Sequence, residues 1–165
     1  MATVTTLANP LSANLPPRVM NNSNFAYKIS KEIDFAAAAT AKGSALAAAD
    51  VIEALRLPAG VVVLAAGARK TSAMTGTSTD LTLDIGVTGG DVDQFVDGWD
   101  YDAALVGDIV ASGVQMPPAV FKTSDTIDIL IATQTGTLTG GKVEVWAVIV
   151  DVIPEARGSI AQPKS

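Results

Sequence analysis

The chain contains no cysteine and no histidine. Without Cys there is no disulfide framework and no thiolate metal site, and the redox compartment is left unspecified. Without His the commonest general base and the commonest transition-metal ligand are missing, which excludes Ser-His-Asp and Cys-His catalysis and ordinary zinc centres. An enzyme built on this sequence would be confined to carboxylate pairs, lysine or an oxygen-bound cation. Aromatic residues are few, at two Trp, two Tyr and four Phe, and charged residues make up only 17% of the 165. Long apolar runs are also lacking. The longest, such as Val61–Ala66 and Val145–Val150, fall far short of the roughly 20 residues that span a bilayer as a helix, so no membrane partner is expected. Basic charge is scarce as well, with 11 Lys and Arg against 17 Asp and Glu and a net charge of −6. A phosphate backbone would be repelled and no Lys/Arg cluster offsets this, so nucleic acid is not an expected partner. The opening MATVTTLANP has neither a basic region nor an apolar core and does not read as a secretory signal.

What is present is enough to fold. At 48% apolar, a chain of 165 residues can bury one core. Much of that fraction is Ala and Val, and the scarcity of charge implies a surface of uncharged Thr, Ser, Gly and Ala. Such a surface is readily buried against neighbours, which points to oligomerisation.

Three parts are expected along the chain. Residues 1–24 carry three prolines, five asparagines and no periodic apolar pattern, and read as an extended or disordered N-terminal arm that a partner subunit could order. Residues 154–165 read as a C-terminal tail of the same kind. Between them, 25–153 forms the folded domain. There Tyr27, Ile29, Ile33 and Phe35 alternate with Lys28, Ser30, Glu32 and Asp34, which is strand periodicity. The Ala-rich block 36–49 leaves a short helix and a strand with loop both open. Ala favours helix, but Gly43 interrupts the run and no amphipathic stripe is evident, so strand with loop is the reading preferred here. Asp50–Leu57 ends at the turn signal Pro58-Ala59-Gly60, and Val61–Leu64 suits a buried strand. Leu81, Leu83 and Ile85 mark another strand, 91–102 reads as loop with a helical turn, and Asp108–Ala111 as a short strand.

The clearest elements are the last. Ile127, Ile129 and Ile131 share one face, and after the turn-rich TQTGTLTGG come Val143, Val145, Ala147 and Ile149. Two alternating runs around a Gly/Thr turn predict an antiparallel hairpin over Asp125–Val152. Its second strand is apolar on both faces beyond Glu144, which predicts a central strand covered on both sides. Many short strands without a long amphipathic helix give an all-β fold, an antiparallel β-sandwich or jelly roll with an extended N-terminal arm.

Four motifs merit weighing. GTLTGGKV (Gly136–Val143) nearly matches the phosphate loop, but Val143 stands where a hydroxyl is needed and a strand follows where a helix must begin, so a turn is the better reading. The segment DVDQFVDGWDYD holds five aspartates in twelve residues. Asp91, Asp93 and Asp97 are candidate calcium ligands outside the EF-hand pattern, since Phe95 occupies its fifth position; the alternative is turn-forming and helix-capping aspartates. The same acids could supply a glycosidase pair, but so many are present that spacing by chance is expected, and no catalytic residue is assigned. Phe95, Trp99 and Tyr101 lie among them and either form a sugar platform or anchor the segment, the latter being preferred. Trp99, Tyr101 and Trp146 are the candidate interaction residues.

The runs DVIEALRLPAG (Asp50–Gly60), LDIGVTGGDVDQFVDGWD (Leu83–Asp100) and DTIDILIATQTGTLTGGKVEVWAVIVDV (Asp125–Val152) together resemble small structural proteins of tailed-bacteriophage virions, above all capsid decoration (cement) proteins. The resemblance covers the chain from near Asp50 to Val152 in ordered blocks. It implies a β-sandwich or jelly roll that forms homo-oligomers, often trimers. They would sit on the outer capsid surface of the virion after synthesis in the host cytoplasm. It implies the major capsid protein and the chain itself as partners, no cofactor and no enzyme activity. The alternative is a head fibre or adhesive knob that binds host glycans through the Trp99 segment.

Overall fold

The computed structural model describes residues 3–5, 26–87, 89–111 and 119–151. Its elements are β1 (Thr3–Thr5), β2 (Tyr27–Asp34), α1 (Phe35–Lys42), β3 (Val51–Leu57), β4 (Val61–Gly76), β5 (Asp80–Gly86), β6 (Val96–Asp100), β7 (Ile109–Ala111), β8 (Ala119–Phe121), β9 (Asp125–Thr135) and β10 (Leu138–Asp151). They form two sheets. One runs β2-β10-β4-β7, with β8 also on β4, and the other runs β1-β3-β9-β5-β6. Apart from the short parallel pairing of β1 with β3, neighbours are antiparallel.

With β1 and β8 set aside, eight strands remain. Counted in chain order they read 1-8-3-6 in one sheet and 2-7-4-5 in the other. Successive strands thus alternate between sheets except at β5–β6, which is the order of a jelly roll. The expected all-β sandwich is the observed fold. Period-2 alternation determines what fills it. Ile33, Val143, Val145, Ala147, Ile149, Val61, Val63, Ala66 and Ala68 face inward from one sheet. Ile52, Leu57, Leu81, Leu83, Ile85, Ile127, Ile129 and Ile131 meet them from the other. Burying each of the larger aliphatic side chains contributes about 1.5–3 kcal/mol relative to leaving it exposed.

The structure corrects the hairpin. Both runs within Asp125–Val152 are strands, but they do not pair with each other. β9 lies between β3 and β5, and β10 lies between β2 and β4 in the opposite sheet. The Gly136–Thr137 turn therefore crosses the sandwich. It is pinned to the neighbouring crossing from β4 to β5, where Thr77 N–H donates to the Thr137 carbonyl at 2.8 Å and Thr137 N–H to the Thr77 hydroxyl at 3.1 Å. Alternation reports a strand and its two faces, whereas the partner is chosen by the topology of the whole sheet. Strand β10 is central, as expected, but its outer face is not covered: Trp146, Val148 and Val150 are half-buried. A strand from Leu138 onward also leaves no helix to receive a phosphate after Gly136–Lys142.

The Ala-rich block is the second correction, because it opens with a helix. Asp34 caps α1, its carboxylate accepting from Ala36 N–H at 2.9 Å and Ala37 N–H at 3.3 Å. Gly43 ends it at φ 79°, its N–H bonding the Ala39 and Thr40 carbonyls. Beyond it, Lys42 pairs with Asp50, which also accepts from Ala47 N–H at 2.9 Å, so the connection to β3 is tied down. The third correction is that the 91–102 segment contains β6, paired with β5 from Thr82–Asp100 to Ile85–Val96. Of the arm expected over 1–24, only Thr3–Thr5 is described, in register with Val51–Glu53; the tail lies outside the described residues.

Candidate interaction surface

The β6–β7 connection is built on a buried lysine. Lys70 continues the inward-facing series Ala66, Ala68 on β4, and only 4% of it is exposed. Its ammonium donates to the Tyr101 carbonyl at 2.7 Å and the Ala104 carbonyl at 2.8 Å, and stands 4.4 Å from the centre of the Tyr101 ring. Burial pushes the Lys70 pKa down, while Asp102, Asp108 and Asp100 act in the opposite sense. Tyr101 is fully buried. Its hydroxyl donates into the carbonyl pair of Ser72 at 3.0 Å and Lys142 at 3.1 Å, and burial pushes its pKa up to about 12. The ring packs edge-on against Phe35 and Trp99, both at 5.4 Å. At Gly141 the backbone takes φ 126°, and a Cβ there would come within 3.0 Å of the Tyr101 hydroxyl.

Each aspartate of the loop has a backbone partner. Asp100 accepts from Ala103 N–H at 3.0 Å, Asp108 from Leu105 N–H at 2.7 Å, and Asp102 from Leu81 N–H at 3.1 Å. The last bond leads the effects that hold the Asp102 pKa low. Main-chain bonds complete the frame: Gly107 N–H to the Lys70 carbonyl at 2.8 Å, and Lys70 N–H to the Asp108 carbonyl at 3.0 Å. The loop is thus tied to β4 by one residue through its amide, its carbonyl and its ammonium.

That frame presents apolar side chains to solvent. Leu105, Val106 and Ile109 are 72%, 58% and 64% exposed, and Val120 on β8, further along β4, is 55% exposed. Among the described residues these are four of the five large hydrophobic side chains left exposed, the other being Val92 on the β5–β6 connection. Scattered exposed aliphatics need no explanation, but Leu105, Val106 and Ile109 cluster on the fixed loop and the strand it leads into, with Val120 farther along the same border, which makes this a candidate contact surface. Because the loop is already ordered, little conformational entropy remains to be lost on binding.

The outer face of β4 and β10 adjoins this border. Trp146 lies across from Gly67, where a Cβ would meet the Val110 carbonyl at 2.2 Å and the Trp146 ring at 3.0 Å. Gly67 therefore lets β7 approach beside the indole. Val148, Val150 and Val62 continue the half-buried apolar strip. The other end of the face is ionic, with Glu144 joined to Lys28 at 3.3 Å and Arg69 at 2.9 Å, and Lys142 joined to Glu32 at 3.4 Å and Asp34 at 3.6 Å.

The residues singled out from the sequence fall in three places. Trp146 is on the outer face and partly open. Tyr101 is under the loop with no exposed surface, Phe95 is buried, and Trp99 is partly buried against Tyr101, so these aromatics hold the segment to the sandwich. Asp91 and Asp93 belong to the β5–β6 connection, and Asp97 is the second residue of β6. The Asp91 carboxyl shares a hydrogen bond with Asp93, which raises its pKa. Among the described residues, no group of three or more acidic side chains is placed to hold a metal ion. Sequence reasoning missed Lys70, Leu105, Val106, Ile109 and Val120. The available signal was AALVGDIVA (Ala103–Ala111), an apolar run in an otherwise acidic stretch.

No protein-family model matches the chain, and no curated protein does. Solved structures do resemble it in fold. A chain in the capsid of Ralstonia phage GP4 superposes with a TM-score of 0.61 at 16% identity, over 91% of this chain and 98% of that one. A chain in the capsid asymmetric unit of cyanophage Pam1 superposes with a TM-score of 0.58 at 17% identity, over 88% of this chain and 98% of that one.

Proposed function

We propose that the chain is a non-enzymatic structural protein of a phage virion, and that it decorates and cements the capsid. The observation that carries this reading is the nearly end-to-end likeness, in both directions, to chains of two phage capsids. The chemistry of the chain agrees with it. Cys and His are missing, and the polar constellation with the most perturbed groups, Lys70 with Tyr101, is spent on holding a loop. The residues at that loop's surface are contact residues. In this reading the protein self-associates, as a trimer, on the outer surface of the shell. It binds the major capsid protein. Repetition within the oligomer turns modest individual contacts into firm attachment.

The test is reconstitution. Expanded shells of the encoding phage, prepared without this protein, are mixed with purified protein and sedimented, with light scattering of the free protein in parallel. Co-sedimentation at saturating stoichiometry, with an oligomer in solution, is the expected result. A monomer that ignores shells and is retained on host polysaccharide would overturn the reading in favour of a glycan-binding knob.

A further inference from the structure

We infer that the border formed by Leu105, Val106, Ile109 and Val120 is the surface through which the protein grips another protein, one that offers an apolar recess rimmed by lysine or arginine. The inference rests on the capsid reading, which makes that protein the shell subunit. Three observations select this occupant. Leu105 and Val106 project from a loop fixed by Lys70, Asp100 and Asp108, Ile109 opens the strand that follows it, and Val120 stands on β8, paired with β4 at Val62, so all four are presented on ordered backbone. The loop itself is acidic: Asp100, Asp102 and Asp108 flank Leu105 and Val106 with no Lys or Arg between Trp99 and Phe121, and Arg69, across from Ile109, is paired with Glu144. The cation that partly balances them, Lys70, is hidden beneath. An apolar centre in a field of one sign is complementary to an apolar recess in a field of the other.

A second copy of the chain fits this rim poorly. It carries the same net charge of −6, and of its described cations Lys28, Lys42, Arg69 and Lys142 are paired with its own carboxylates and Lys70 is buried, which leaves chiefly Arg56 and Lys122 to answer an acidic rim. Size points the same way as the proposed mode of action. Leu105, Val106 and Ile109, with Val120 set apart along β4, offer apolar surface on the order of a few hundred Å² at most, against the roughly 800 Å² per partner of a stable pairwise interface. A single contact of this kind is weak, and it becomes useful when one oligomer makes several.

The experiment uses the full-length protein and expanded shells lacking it. Leu105→Asp with Ile109→Asp changes two exposed side chains and is expected to leave the melting temperature and oligomeric state unchanged while weakening shell binding at least 10-fold. Asp100→Asn with Asp108→Asn keeps the acceptor oxygens that build the loop but removes two charges; it is expected to weaken binding at low salt and flatten its salt dependence. Val92→Asp, on the β5–β6 connection, is expected to bind as the unmodified protein does. Unchanged binding by the Leu105/Ile109 variant would overturn the inference and leave the capsid reading standing. Dissociation of the oligomer by that variant would also overturn it, assigning the border to a second copy. Failure of the unmodified protein to bind shells would remove the capsid reading, and the inference with it.

Discussion

Two acidic connections lie side by side in this molecule and use the same residue differently. The β5–β6 connection and the start of β6 carry Asp91, Asp93 and Asp97, and the end of β6 and the β6–β7 loop carry Asp100, Asp102 and Asp108. In the first, carboxylates crowd one another. Asp91 shares a hydrogen bond with Asp93, and Asp84 beneath them has its pKa raised by burial, despite a 2.7 Å bond from Gly98 N–H, with Asp97 and Asp93 adding to the rise. In the second, each carboxylate receives a backbone N–H and a buried ammonium stands behind them. One arrangement is a surface turn that tolerates its charge, and the other is a rigid platform. Composition does not separate them; the opposing N–H groups and cations do.

The largest effect is expected at Tyr101. Replacing it with Ala removes the ring shared by Phe35, Trp99 and Lys70, and should cost about 3–5 kcal/mol by denaturant titration. The β5–β6 aspartates offer no single residue of comparable effect. Next comes alkali. Because the folded Tyr101 pKa lies at about 12 and the unfolded value is 10.0, only the unfolded chain ionises in that window. Stability should therefore fall by about 1.4 kcal/mol per pH unit there, and Tyr101→Phe should abolish this component. Lys70 acts with the opposite sign below 10.5, since its folded pKa is lowered and the unfolded chain holds the extra proton. The net fall should therefore be clearest above that value.

Lys70→Met sharpens the distinction further. It removes two charge-assisted hydrogen bonds but also the cost of a buried charge, so the net loss should stay below about 2 kcal/mol. Hydrogen exchange at Leu105, Gly107 and Asp108 should nonetheless quicken, while amides of the β5–β6 connection should not respond. In that connection the expected change is a gain. Asp84→Asn keeps an acceptor for Gly98 N–H and removes a charge that burial disfavours, so it should stabilise the protein at pH 7 by about 1 kcal/mol or less. As the pH falls through the raised folded pKa toward 3.8, wild-type Asp84 takes up its proton and the penalty disappears. Thermal melts of the two proteins should therefore converge in acid. The smallest effect expected is from calcium: added cation or chelator should leave the melting midpoint unchanged, and a shift of several degrees would revive Asp91, Asp93 and Asp97 as ligands.

Much of the fold was legible in the chain. Tyr27–Asp34, Leu81–Ile85, Ile127–Ile131 and Val143–Ile149 display their strands openly, because each alternates over at least five residues. The helix at Phe35–Lys42 is hard to read from its interior, which has no amphipathic stripe. Its ends were informative: Asp34 is a capping residue and Gly43 a left-handed stop. The candidate contact surface was the least legible part. Leu105, Val106 and Ile109 look like any short apolar run, and their exposure depends on Lys70, more than 30 positions earlier.

Two kinds of information therefore divide this protein. Strand periodicity, the identity of core faces and the exclusion of Cys- and His-based chemistry are properties of neighbouring residues or of composition, and they can be read without coordinates. The pairing of β9 with β3 and β5 instead of with β10, and the conversion of three aspartates and a lysine into a platform for exposed Leu105, Val106 and Ile109, are not local. They arise where strands distant in the chain are brought together, because hydrogen-bond partners and solvent exposure are set by what lies across the sandwich and not by what lies next along the backbone.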